Sequence, residues 1–130
     1  MITDPIADMF TVIRNSVRAN KKIVTIPASN VKKSITKLLF ENGYISKYAF
    51  VDDGLQGEIK IILKYDGKES AIRDIQRISK PSRRVYAPVT EIPKVLNGMG
   101  TCIVSTSHGI MTDFQCRKAG VGGELIGKVW

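Results

Sequence analysis

The stretch Thr101-Cys102-Ile103-Val104-Ser105-Thr106-Ser107-His108-Gly109-Ile110-Met111-Thr112-Asp113 decides how the second half of the chain is read. Its first four residues form a short apolar run with β-branched side chains, which reads as a buried strand. Thr112 and Asp113 read as the start of a helix. Between them lie three successive hydroxyls, then His108 and Gly109. Hydroxyls offer donors and acceptors on short side chains, and glycine permits a turn at positive φ. A loop held between a strand and a helix can set several such groups against a ligand. The same composition also suits a connector whose hydroxyls cap the following helix.

Working outward, Thr112-Asp113 opens a helix of about two turns ended by Gly120, and Gly122-Gly123 leads into a last strand, Glu124 to Trp130. Upstream, short strands are expected over Ile75 to Ser79 and Arg84 to Pro88, with a turn at Lys80-Pro81-Ser82. Glu91 to Leu96 reads as a short helical turn closed by Asn97-Gly98-Met99-Gly100. Arg83-Arg84-Val85-Tyr86 sets two guanidiniums beside an aromatic ring. Arginine forks match phosphate oxygens, and a tyrosine can stack on an unpaired base; a hairpin with basic edge residues fits the same letters. Tyr65-Asp66-Gly67-Lys68-Glu69-Ser70 is polar and turn-rich and reads as a linker.

The N-terminal half has a different texture. Asp4-Pro5 opens a helix whose apolar stripe is Ile6, Met9, Phe10, Ile13 and Val17. Ile23-Val24-Thr25-Ile26 is a short strand ended by Pro27. Ser29 is a second N-cap, before an apolar face of Val31, Ile35, Leu38 and Leu39, with Gly43 as terminator. Tyr44 to Val51 and Glu58 to Lys64 form a hairpin around Asp52-Asp53-Gly54; Ile59, Ile61 and Leu63 face the covered side. Helix, strand, helix, strand, strand is an α+β arrangement. Between residues 14 and 37 there are seven basic residues (14, 18, 21, 22, 32, 33 and 37) and no acidic one. That is either a solvated cationic face or a surface whose self-repulsion a bound polyanion relieves.

A chain of 130 residues, 43% hydrophobic, with a net charge of +8, is a folded basic protein suited to a polyanionic partner. The polyanion could be nucleic acid or an acidic membrane surface. There is no run of about 20 apolar residues and no signal-peptide pattern, and the helices lack the apolar aromatic face of an interfacial anchor, so no membrane partner is expected. Two isolated cysteines, Cys102 and Cys116, fit a reduced cytoplasmic protein, and nothing offers metal-ligand spacing. No catalytic set is visible and no cofactor is expected. His108 adjoins Ser107, but sequence neighbours on a loop point apart and no carboxylate is placed to orient the ring. Gly120 to Gly123 lacks the spacing and following lysine of a phosphate-binding loop. Asp52-Asp53 is a turn pair before it is a metal site.

Motifs along the chain resemble a known family. They are Thr3-Asp4-Pro5-Ile6-Ala7-Asp8-Met9, Ile13-Arg14-Asn15, Pro27-Ala28-Ser29, Gly43-Tyr44-Ile45, Ile78-Ser79-Lys80-Pro81, Arg84-Val85-Tyr86 and Val95-Leu96-Asn97-Gly98-Met99-Gly100. Ser105-Thr106-Ser107, Gly109, Met111-Thr112-Asp113 and Gly122-Gly123-Glu124 complete the set, which resembles the eighth protein of the bacterial small ribosomal subunit. The resemblance implies two domains. Residues 1–65 would form an α+β domain of two helices on a three-stranded sheet, and residues 66–130 a mainly β, RNA-binding domain with a short helix.

The resemblance also implies a function. The chain would be a structural constituent of the small subunit that binds an irregular stem in the central domain of its RNA and nucleates assembly. It would be monomeric when free and would touch neighbouring ribosomal proteins; its own messenger RNA is a second implied partner, through a mimic stem and translational repression. The implied location is the cytoplasmic ribosome, with an organellar one as the alternative. The implied contacts are Ser105, Thr106 and Ser107, with Arg84, Tyr86 and Gly122-Gly123-Glu124 on the same side. Further contacts would come from Thr3, Asp4 and Pro5, and from Asn30, Lys32 and Lys33 at the start of the second helix. Asn30 stands where the family often has lysine, so Lys32 or Lys33 would serve the phosphate there. Cys116 replaces the usual alanine as a small packing residue, and His108 occupies a variable position.

Overall fold

Helix α1 (Pro5–Arg18) begins at the proline expected in its first turn. Asp4 accepts a hydrogen bond from the Ala7 N–H at 3.2 Å, while Asp8 in the first turn and Arg18 in the last complement the helix dipole. Met9, Phe10 and Ile13 are buried as their spacing requires, with Ser16 next along the stripe. The helix stops at Asn20, whose φ of 55° is left-handed while Lys21 donates back to the Ser16 carbonyl. The structure, a computed structural model, describes residues 4–130, so the expected contact at Thr3 lies outside the described residues.

Contacts group Asp8–Arg73 into one unit, and Asp74–Trp130 with residues 4–7 into another. The first unit carries most of α1, then β1 (Ile23–Pro27), α2 (Asn30–Glu41), β2 (Ile45–Val51) and β3 (Glu58–Leu63). These strands form an antiparallel sheet in the order β1-β3-β2. Val24, Ile26, Ile59, Ile61 and Leu63 alternate inward, each full burial contributing about 1.5–3 kcal/mol. Ser29 caps α2 by accepting from the Lys32 N–H.

One expectation in α2 fails. Val31 is exposed, and Lys32 is buried in its stead, at 8% exposure. The buried face runs through residues 32, 35, 36, 38 and 39, and Val31, in the first turn, lies at its rim. The lysine stem packs inside, and its ammonium donates to the Pro27 carbonyl at 3.2 Å. The expected linker is also ordered structure. Tyr65–Asp66 (β4) pairs with Glu69–Ser70 (β5) around Gly67, and the Tyr65 hydroxyl donates to the Lys21 carbonyl. Those contacts carry the unit past Tyr65 to Arg73.

The second unit is built on β10 (Gly123–Val129). One edge of β10 pairs with β8 (Thr101–Thr106), which pairs in turn with β9 (Gly109–Thr112). The other edge takes β7 (Tyr86–Ala87) at its start and β6 (Ile75–Arg77) at its end. Helix α3 (Asp113–Ala119) opens on a capping box between Thr112 and Gln115 and closes on left-handed Gly120, as expected. Ile92, Val95, Cys102, Val104, Cys116 and Leu125 form its core cluster. No helix among the described residues is long and apolar enough to cross a membrane.

Two further local expectations change. The helical turn over Glu91 to Leu96 is instead a 3-10 turn at Val89–Glu91, then extended chain. Pro93 offers no N–H to continue a helix, and the chain turns at Leu96 and Asn97 in left-handed conformations. The stretch after Val104 is no loop between strand and helix. It is a tight β-hairpin, with Ser107 and His108 as the turn and Gly109 at φ 100°.

Candidate nucleic-acid interface

Strand register assembles most of the expected site. Tyr86, Glu124, Ser105 and Ile110 are directly paired across β7, β10, β8 and β9, so their side chains share one face of the sheet. The alternate residues, Leu125 and Val104, are buried in the core on the opposite face. Tyr86 is 69% exposed, whereas Ser105 and Glu124 are half-buried.

The three hydroxyls divide into two roles. Thr106 donates to the Gly109 carbonyl at 2.9 Å and accepts from the His108 N–H at 3.0 Å, locking the hairpin turn. Within the described residues no hydrogen bond engages the Ser105 or Ser107 hydroxyl. The result is a stiff turn that presents two hydroxyls with donor and acceptor capacity left over. Thr106 therefore supports the turn.

Glu124 anchors the neighbouring edge. Its carboxylate accepts from the Ser79 hydroxyl at 2.5 Å and from the Arg84 guanidinium at 3.0 Å. The Ser79 oxygen accepts in turn from the Val85 N–H at 3.1 Å, tying the segment before β7 to β10. Burial alone would raise the Glu124 carboxyl, but the bonds from Ser79 and Arg84 and the charges of Arg84 and Arg77 outweigh it and hold it below the usual range. Arg84 is thereby aimed along the Tyr86 edge with half its side chain still exposed.

Gly122 and Gly123 are explained by close approach. A Cβ on Gly123 would collide with the Ser105 carbonyl, and one on Gly122 with the Ala87 carbonyl and Pro88. Glycine lets β10 sit tightly between β7 and β8. Beneath the hairpin, Asp113 accepts from the Cys102 N–H at 3.1 Å and pairs with Arg117, fastening α3 to β8. Both cysteines are buried; burial first, then the Asp113 charge, pushes the Cys102 thiol up to about 12 and Cys116 up as well, so both stay protonated. Ser79 and Asp113 were not singled out in the sequence as site supports. Ser79 sits in the Ile78-Ser79-Lys80-Pro81 motif, but its carboxylate partner, Glu124, lies 45 residues away in sequence.

The remaining candidates lie elsewhere. Asp4 is engaged by Arg77, Nε to carboxylate 3.1 Å, and Arg77 also donates to the Ile126 carbonyl at 2.7 Å. Pro5 is exposed at the first turn of α1. Asn30, Lys32 and Lys33 belong to α2 in the other unit; Asn30 is exposed, Lys32 is buried on Pro27, and Lys33 lies 5.3 Å above the Phe50 ring. Among the described residues no cluster of three metal-ligating side chains occurs.

Residues 4–130 match the family described as Ribosomal protein S8. The chain is 59% identical over 128 residues to small ribosomal subunit protein uS8 of Flavobacterium psychrophilum, covering 97% of each chain. It is 55% identical to uS8 of Finegoldia magna, covering the whole of both chains, and 50% identical to that of Bacteroides fragilis, covering 96% of this chain. With the motif set, the sheet that carries it and full-length identity at this level in agreement, the chain belongs to the ribosomal protein S8 family.

Proposed function

We propose that this protein is a structural constituent of the small ribosomal subunit that binds the central domain of the subunit RNA directly, at an irregular stem, and nucleates folding of that region. The observation that carries the proposal is the pair of unengaged hydroxyls, Ser105 and Ser107, on a hairpin stiffened by Thr106 and set beside the exposed Tyr86 ring. A regular RNA helix hides its base edges in a deep, narrow groove, so a protein selects a stem by its distortion and its unpaired bases. Short hydroxyls on a rigid turn reach such bases, Tyr86 stacks on one, and Arg84 holds a nearby phosphate. Gly122 and Gly123 let the RNA-facing strands close up, and Glu124 keeps Arg84 in place. Asn30 and Lys33, with Thr3, Asp4 and Pro5, add backbone contacts, and the net charge of +8 supplies the salt-dependent part of the affinity. The family is one of ribosomal structural proteins, so no catalytic role is assigned.

A mimic of the same stem on the protein's own message would meet the same surface, since the chemistry reads shape and not origin. The test is affinity for the irregular stem against a fully paired stem of equal length, across salt, for wild type and Ser107→Ala. The irregular stem should win by orders of magnitude, with Ser107→Ala losing about 1–3 kcal/mol of that preference. Equal binding of both stems with the same salt slope would leave only charge and overturn the proposal.

A further inference from the structure

The first unit carries an aromatic and cationic surface that the hairpin site does not use. Tyr48 and Phe50 pair with buried Ile61 and Ile59, so they lie on the covered face of the sheet, but on its edge strand β2. The rings emerge beside α2. Phe40 meets Tyr48 edge-on, with centroids 5.3 Å apart at 74°, and Tyr48 meets Phe50 at 5.1 Å and 39°. Phe40 and Phe50 remain 44% and 37% exposed. Lys33 and Lys37, one turn apart on α2, hold their ammonium groups 5.3 and 5.8 Å from the Phe50 centroid. Among the described residues neither lysine is paired with a carboxylate.

Beside Phe50 lies a cleft of about 300 Å³, bordered by Lys33, Asp52 and Gln56. The Asp52 carboxylate accepts from the Gly54 N–H, and the Gln56 amide nitrogen donates to the Ala28 carbonyl. A carboxylate and an amide oxygen in the cleft disfavour a phosphate inside it and suit a base bearing an exocyclic amine. The lysines on α2, the end of a stretch from residue 14 to residue 37 without an acidic residue, suit the phosphates on either side.

We infer that the Phe40–Tyr48–Phe50 ladder, with Lys33 and Lys37, is a second RNA contact that takes an unpaired, single-stranded nucleotide by stacking it on Phe50. Aromatic platforms flanked by cations bind single strands in this sequence-tolerant way. The inference rests on the RNA-binding reading but uses a surface separate from the serine hairpin.

The test is titration of the full chain with fluorescein-labelled octaadenylate, and with an abasic octamer carrying the same phosphates. Octaadenylate should bind about ten-fold more tightly than the abasic strand, and Phe50→Leu should remove that difference while keeping the preference for the irregular stem. A photoreactive octamer crosslinked to wild type should label the Phe40–Phe50 segment, which needs no variant to fold. Equal affinity for the two octamers, or crosslinks elsewhere, would overturn the inference and leave the surface to a protein neighbour. Loss of the irregular-stem preference in wild type would instead count against the function proposed above.

Discussion

Gly123 shows how a single residue carries the site. Its Cα–H faces the Ser105 carbonyl at a separation no side chain tolerates, so Gly123→Ala must push β10 away from β8. Overpacking of that kind costs about 1–3 kcal/mol, and urea denaturation should show a lower midpoint; an unchanged midpoint would mean the strands part freely. Glu124 adds a pH dependence. Its folded carboxyl is held below the ordinary value of 4.5, so it contributes stability above that value and loses the contribution as pH falls through the lower folded value. Melting of wild type and Glu124→Gln should therefore differ at pH 7 and converge only as pH falls through that lowered folded value; a constant gap through the acid range would refute the assignment. The importance of Gly122-Gly123 was visible as a motif. Its cause was not, because a close approach between strands 18 residues apart cannot be read from either strand alone.

At the scale of elements, α2 separates two lysines that look alike as letters. Lys33 faces outward beside Phe50, whereas Lys32 packs its stem under the helix and caps Pro27. Lys33→Ala should lower the salt slope of RNA binding by roughly one phosphate. Lys32→Met should leave that slope alone and alter thermal stability, because the methionine refills the buried stem but leaves the Pro27 carbonyl unserved. An equal loss of slope in both variants would place both ammonium groups on RNA. Helix α3 holds the base of the hairpin through the box between Thr112 and Gln115. Thr112→Ala should cost about 1 kcal/mol by chemical denaturation, and no loss would mean that Asp113 with Arg117 suffices to seat the helix. The α3 cap and stop were legible because they are local. The hairpin before it looks like a loop in the sequence, since Ile110-Met111 is too short to declare a strand without its partner β8.

For the whole molecule, the excess of 20 basic over 12 acidic residues governs how affinity for a polyanion responds to salt, and under the proposed function the serine hairpin sets which RNA is chosen. Neutralising surface lysines should weaken binding to regular and irregular stems alike, while Ser105 and Ser107 variants should narrow the gap between them.

The sequence by itself determined the α+β class, the helix starts at Pro5, Ser29 and Thr112, the alternation in β3 and the sign of the partner's charge. Each of these is encoded within a few neighbouring residues or in composition, and the motif set added the family. Only the tertiary structure decided that Lys32 is interior and that Tyr65 to Ser70 is a hairpin. It also brought Tyr86, Ser105 and Glu124 to one face of one sheet, with Ser79 and Arg84 bonded to Glu124. That last outcome depends on which strand lies beside which, a pairing between segments 19 to 45 residues apart that no local pattern of side chains specifies.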